Sequence, residues 1–200
     1  MIASGREFVR AARRVREHIA QEHRYAHILR VARTAELLAE AHGVDTLQAR
    51  TAGLLHDLAR LYPGERLLRE CAERALPIDG FEEANPIVLH ARLGAELARD
   101  WFGVDDEAIL SAIRKHTLAA ATMSPLDEIL YLADGLEPGR DFLGRADILA
   151  LAFDDLAAAM AAQLTETLAY QRARQLAPAP QTLAALDLYA PIPLREKRSA

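Results

Sequence analysis

Residues 52–59 read Ala-Gly-Leu-Leu-His-Asp-Leu-Ala, a run of small and apolar side chains with one histidine and one aspartate set side by side in it. The run has no alternation of apolar and polar residues. Its spacing is that of a helix packed on a core, so His56 and Asp57 are directed inward with the leucines. Burying an unpaired carboxylate or imidazole costs several kcal/mol. The pair therefore demands partners, and the rest of the sequence is read for them.

Outward from this segment, nearly every stretch carries helical spacing and none reads as a convincing strand. The periodicity predicts helices over about Arg6–Ala20, Arg24–His42, Thr46–Leu61 and Glu65–Ala75. Gly43 supplies a left-handed stop, and Asp45 or Thr46 supplies a cap. A further helix follows Asn85-Pro86 and ends before Gly103. Asp105 caps one that ends near His116, Ser124-Pro125 opens one that closes at Pro138, and a last long helix covers Asp147–Gln175. The fold class expected is all-α: a single-domain helical bundle. Its divisions are an N-terminal helix over 1–22 packing on the core, a main body over 23–176, and an extended tail over 177–200.

The inward faces hold further ionisable groups. His27 precedes Val31 and Leu38, His90 shares a stripe with Leu93, Gly94 and Leu97, His116 follows Ile109 and Ile113, and Asp134 follows Leu126 and Leu130. The only lysines are Lys115 and Lys197, so lysine partners for so many buried groups are almost absent. A shared metal ion would satisfy them together. With one cysteine, Cys71, no thiolate cluster or internal disulfide is possible. The ion is then held by nitrogen and oxygen, a donor set suited to divalent iron, manganese, zinc and their neighbours. Gly53 and Ala52, one turn before the pair, read as leaving room for the site. His42 and Cys71 read as structural, and His18 and the basic face Arg10, Arg13, Arg14 and Arg16 as solvated; His23, four residues before His27, has a spacing that can bind metal, but the site is complete without it.

The chain has 200 residues, with 51% hydrophobic and 26% charged, and a net charge of −5. This composition excludes a disordered chain and argues against a broad nucleic-acid surface. No stretch is a clean membrane span or secretory leader, so a cytoplasmic location without a membrane partner is expected.

The ordered series resembles the HD-domain metal-dependent phosphohydrolases, and within them the YqeK-type branch of symmetrical bis(5'-nucleosyl)-tetraphosphatases. The matching stretches are Arg24-Tyr25-Ala26-His27, Ala52–Asp57, His90–Ala95, Ala112–Thr117, Met123-Ser124 and Ala133–Arg140. The resemblance implies a primary metal on His27, His56, Asp57 and Asp134, iron first, with manganese, cobalt, magnesium and zinc also compatible. It gives His90 and His116 two roles, a second metal with Asp57 bridging, or direct contact with substrate phosphate, the latter preferred. Arg60, Arg140 and Thr117 would meet phosphate oxygens, and Asp57, Arg60 and Arg140 would be catalytic.

The implied substrate is a dinucleoside polyphosphate, diadenosine tetraphosphate cleaved to two ADP by metal-activated water. His27, His90, His116 and Asp134 would border it, and a homodimer is compatible. The alternatives are the same chemistry on another nucleotide or alarmone, and a non-catalytic nucleotide-binding module. Two positions depart from the family pattern: Arg60, where lysine is usual, and Leu118–Thr122, where a glycine is usual.

Overall fold

In the computed structural model, which describes residues 2 and 4–189, the described residues form helices and connecting turns without a strand. The helices are α1 (Gly5–Ile19), α2 (Glu22–Ala41), α3 (Thr46–Leu55), α4 (Gly64–Glu73), α5 (Gly80–Ala84), α6 (His90–Phe102), α7 (Glu107–Lys115), α8 (Pro125–Leu136), α9 (Arg145–Asp154), α10 (Leu156–Ala173) and α11 (Pro180–Tyr189). A 3₁₀ turn, Pro86–Leu89, leads into α6. No described helix is long and apolar enough to cross a membrane.

The pairing of α2 with α3 is the most extensive, and α7 and α8 close the bundle around them. Ile28, Val31, Leu38, Leu54, Leu55, Leu110, Ile113, Ile129 and Leu130 on these helices, and Leu93 and Leu97 on α6, are wholly buried. α1 lays Phe8, Ala11, Val15 and Ile19 against that core. The helix ends use the expected devices. Asp45 accepts from the Leu47 and Gln48 amides, Ser124 and Asp127 form a capping box ahead of Pro125, and Gly43 and Gly103 take positive φ.

The structure corrects the sequence reading in several places. α3 ends at Leu55, not Leu61. His56 to Tyr62 continue as tight turns in which the Leu58, Arg60 and Tyr62 amides donate three residues back. α7 is capped by Asp106 rather than Asp105. The expected helix over Asp147–Gln175 is two helices, because Asp155 turns extended and caps α10 through the Ala158 amide. The tail expected to be extended folds as α11 up to Tyr189, with Pro180 at its first position, where a missing N–H costs nothing. It buries Thr182 and Ala185, and the Thr182 hydroxyl donates to the Leu118 carbonyl. The remaining tail, 190–200, lies outside the described residues.

Gly53 has a different purpose from the one its sequence context suggested. A Cβ there would lie 2.6 Å from Ala32 Cα and 2.9 Å from its nitrogen, so glycine lets α2 and α3 cross backbone to backbone. His18 is also not on a solvated face: its Nε2 lies 2.7 Å from the Leu58 carbonyl, and its ring packs edge-on against Trp101 and Tyr62.

Candidate metal centre

Three of the inward histidines use one local device. His56 Nδ1 lies 2.7 Å from the Gly53 carbonyl, His90 Nδ1 2.5 Å from that of Ile87, and His116 Nδ1 2.7 Å from that of Ile113. Each ring thus grips the carbonyl three residues before it, at a place where a helix ends or begins. A carbonyl can only accept, so each Nδ1 carries the proton and each Nε2 is left to face inward. His27 reaches the same state through a side chain: its Nδ1 donates to Glu137 Oε1 at 3.1 Å.

These Nε2 atoms converge with two carboxylates. His27 Nε2 lies 3.2 Å from Asp134 Oδ1 and 3.7 Å from Asp57 Oδ2. His56 Nε2 lies 3.4 Å from Asp57 Oδ2 and 3.9 Å from Asp134 Oδ1. Asp57 presents its other oxygen, Oδ1, to His90 Nε2 at 3.4 Å. It stands between two halves of the site. His27, His56 and Asp134 form one group with the spacing to hold a metal ion, and His56, Asp57 and His116 form another. All of these side chains except Asp134 are nearly inaccessible.

The donor chemistry fits a cation. His27 Nε2 and His56 Nε2 are buried without a hydrogen-bond partner, while carboxylate oxygens crowd them at the distances above. Lone pairs held this close to anionic oxygens need protons or a metal between them. At the second half, His90 Nε2 and His116 Nε2 lie 3.2 Å apart. Thr117 Oγ1 is 3.3 and 3.1 Å from them, and its one hydrogen can serve only one.

Charge in the pocket follows from the same packing. Burial opposes ionisation of Asp57, but His56 and His90 hold its carboxyl well below the usual carboxylate range. Asp134 is likewise depressed against its burial, by His27, His56 and Arg140. Burial lowers the pKa of His116 to about 3, with His56 and His90 adding to the effect, and lowers that of His90 too. For His56 burial also disfavours charge, but Asp57 outweighs it and the pKa rises.

Three arginines border a cavity of about 290 Å³ above this floor: Arg24, Arg60 and Arg140. Arg24 donates to Asp57 Oδ2 at 3.1 Å, and Arg140 to Asp134 Oδ1 at 2.6 Å and to its carbonyl at 2.9 Å. With the two carboxylates offset by two guanidiniums, a divalent ion would leave the pocket net positive, the sign that suits a polyphosphate. Arg60 and Thr117 line the same cavity.

Sequence reasoning brought His27, His56, Asp57, His90, His116, Asp134, Thr117, Arg60 and Arg140 to one place, and the structure gathers all of them. His23 is exposed and outside the cluster. The reading missed the part of Arg24, and it missed the support behind His27. Glu137 is almost fully buried and accepts from His27, from the Arg30 guanidinium and from the Gly139 amide at 2.5 Å. Burial would raise its pKa, yet Arg30 and His27 bring it to about 2. The available signal was Arg30, one turn after His27 on α2, with a buried acid needed to meet it. At the other departure, Ala119 occupies a left-handed conformation at φ 58, which a glycine would adopt freely.

Comparison with known proteins gives the same picture. The HD domain model matches residues 24–139. The chain is 38% identical over 149 residues to the symmetrical bis(5'-nucleosyl)-tetraphosphatase of Bacillus subtilis, spanning 74% of this chain and 80% of that protein. It is 34% identical over 175 residues to the protein of the same name from Halalkalibacterium halodurans, spanning 88% and 92%. Among solved structures, a Clostridium acetobutylicum protein described as an HD superfamily hydrolase involved in NAD metabolism superposes with a TM-score of 0.87 at 32% identity, over 91% of this chain and 96% of that one. The match spans the convergent histidines and aspartates as well as the helices that carry them, and the chain belongs to the HD-domain family.

Proposed function

We propose that this protein hydrolyses dinucleoside polyphosphates, with diadenosine tetraphosphate cleaved symmetrically to two ADP. The observation that carries the reading is the convergence of the His27 and His56 Nε2 atoms with Asp57 and Asp134 oxygens beneath a cavity bordered by three arginines. The two relatives named above as symmetrical tetraphosphatases support the choice of substrate.

In this reading His27, His56, Asp57 and Asp134 hold the primary divalent ion, with iron as the first candidate. Bound there, such an ion acts as a Lewis acid and lowers the pKa of water towards about 7. The chain's own groups do the rest. Arg60 and Arg140 present guanidinium forks to phosphoryl oxygens, whose charge grows as the anhydride bond breaks. Thr117 offers a hydroxyl hydrogen beside them. Glu137 fixes the His27 ring so that Nε2 faces the ion.

His90 and His116 have a second reading that the geometry favours over direct phosphate contact. Both Nε2 atoms are acceptors when the rings are neutral, and a phosphate oxygen is an acceptor too. Their opposed lone pairs, with Asp57 Oδ1 facing His90, would suit a second cation held by His90, His116 and Asp57.

The test is to load the purified protein with iron(II) or manganese(II) and identify the products from diadenosine tetraphosphate beside a panel of mononucleotides and guanosine alarmones. Two ADP per substrate are expected, and Asp57→Ala should fold and be inactive. ATP plus AMP, or turnover confined to the other nucleotides, would overturn the assignment. Turnover that survives Asp57→Ala would remove the site itself.

A further inference from the structure

The C-terminal helix α11 reaches the wall of the metal pocket from behind. It is pinned at three places along its length. Gln181 Nε2 donates to Asp79 Oδ2 at 2.6 Å, the Thr182 hydroxyl to the Leu118 carbonyl at 2.9 Å, and the Tyr189 hydroxyl to Glu128 Oε1 at 2.6 Å. The middle bond bears on the site. Thr182 is 1% exposed, and the carbonyl it meets belongs to the residue directly after Thr117.

Thr117 has open space on two sides. It lines the metal pocket, and a second cavity of about 240 Å³ lies behind it, bordered also by Val88, Leu118, Ala119 and Gln181. Close packing, which fixes most side chains of a core, is therefore thin here, and the backbone of the turn must do the fixing. That backbone is strained two residues on. Ala119 sits at φ 58, a left-handed conformation that an alanine side chain resists. The Ala119 amide donates to the Lys115 carbonyl at 2.9 Å, which closes the turn on the end of α7 but does not tie it to another element. Thr182 supplies that tie, at the carbonyl lying between Thr117 and the strained alanine. With the turn so held, Thr117 Oγ1 stands 3.3 Å from His90 Nε2 and 3.1 Å from His116 Nε2.

We propose that Thr182 is a positioning residue for the phosphoryl end of the site: through the Leu118 carbonyl it fixes the turn over residues 116–119 and so holds the Thr117 hydroxyl where it meets substrate oxygens. The inference rests on reading the metal pocket as a polyphosphate site. Thr182 itself touches neither substrate nor ion, and its whole effect passes through Thr117. The other two pins of α11 differ in this respect. Tyr189 fastens the far end of the helix to α8, so cutting its bond loosens α11 without releasing the turn that carries Thr117.

The test is a double-mutant cycle in the manganese(II)-loaded full chain, read by calorimetric titration of inorganic pyrophosphate and by kcat for diadenosine tetraphosphate. Thr182→Val keeps the shape of the side chain and removes its donor, Thr182→Ser keeps the donor, and Thr182→Ala replaces the valine variant if that one does not fold. Thr182→Val and Thr117→Ala should each lower pyrophosphate affinity and kcat about tenfold. The double variant should be no worse than Thr117→Ala to within about twofold, because two residues that act through one hydroxyl do not add. Thr182→Ser and Tyr189→Phe should both keep the kcat of the unmodified protein, although Tyr189→Phe lowers Tm. Full additivity in the double variant would overturn the proposal, as would a Thr182→Val protein with lowered Tm but unchanged pyrophosphate affinity, or a Tyr189→Phe protein that loses as much kcat as Thr182→Val. If diadenosine tetraphosphate is not cleaved but the non-additive loss of pyrophosphate binding persists, the tetraphosphatase reading falls and the positioning role stands.

Discussion

Gly53→Ala provides a test in which two physical effects have opposite signs. Alanine is the better helix former, worth about 0.5–1 kcal/mol over glycine inside a helix. On propensity alone the variant should be more stable. Against this, the new Cβ would meet Ala32 Cα at 2.6 Å and Ala32 N at 2.9 Å, atoms of the α2 backbone that cannot rotate away. Ordinary contact begins near 3.4 Å, so α3 must shift by the better part of an ångström. Overpacking of this kind costs about 1–3 kcal/mol, and the upper end applies where backbone meets backbone. The net expectation is a loss of about 2 kcal/mol. For a domain of this size that lowers Tm by about 4–8 °C.

The displacement also separates His27, on α2, from His56 and Asp57, which follow α3 directly. Ligand distances tolerate only about 0.2 Å, so the stabilisation that added metal confers should shrink more than the metal-free Tm does. Thermal denaturation with and without iron(II) or manganese(II) reads both quantities. A Gly53→Ala variant with a raised Tm and an unchanged metal increment would refute the close-crossing argument.

Other outcomes are expected from the same structure. Metal at 100 times its Kd should stabilise the protein by about 2.7 kcal/mol, a Tm rise of roughly 5–11 °C that a chelator reverses and that Asp57→Ala lacks. Glu137→Gln keeps an acceptor for His27 but loses the charge that holds Arg30, so metal affinity in a competition titration should fall about tenfold with the helical circular dichroism retained. Because Glu137 titrates at about 2 in the fold against an ordinary 4.5, its contribution is present above that ordinary value. It is lost as pH falls towards 2. Asp57 and Asp134 are depressed in the same direction, so acid denaturation of the metal-free protein should steepen over this window, and less so in Glu137→Gln. Ala119→Gly should raise Tm by about 1–4 °C, since relief of a left-handed alanine outweighs the added chain entropy; a fall would contradict the φ of 58 found there.

What the sequence made legible was local. Asp45, Ser124-Pro125, Gly43 and Gly103 punctuate helices through bonds to residues a few positions away, and each acts in the structure as read. The inward stripes of His27, His90, His116 and Asp134 follow from 3.6-residue periodicity, so their meeting was inferable once every buried charge was required to find a partner. Contacts without a local signature were not legible. Glu137 meets His27 across 110 positions, and Arg24 meets Asp57 across 33. The break at Asp155 hid inside an apolar run that continues on both sides. α11 was concealed by Pro178 and Pro180, of which the second begins a helix instead of preventing one. Gly53 was seen as space, but which body fills that space depends on how α2 crosses α3, and no single sequence states it.

The span of the ligand set has a consequence for synthesis. The proposed donors come from α2, from the turn after α3 and from the last turn of α8, with Glu137 bracing His27 from just beyond. A nascent polypeptide therefore lacks the full donor set until about two-thirds of its 200 residues have left the ribosome, and capture of a cation by all of these groups would report that α2, α3 and α8 have already come together.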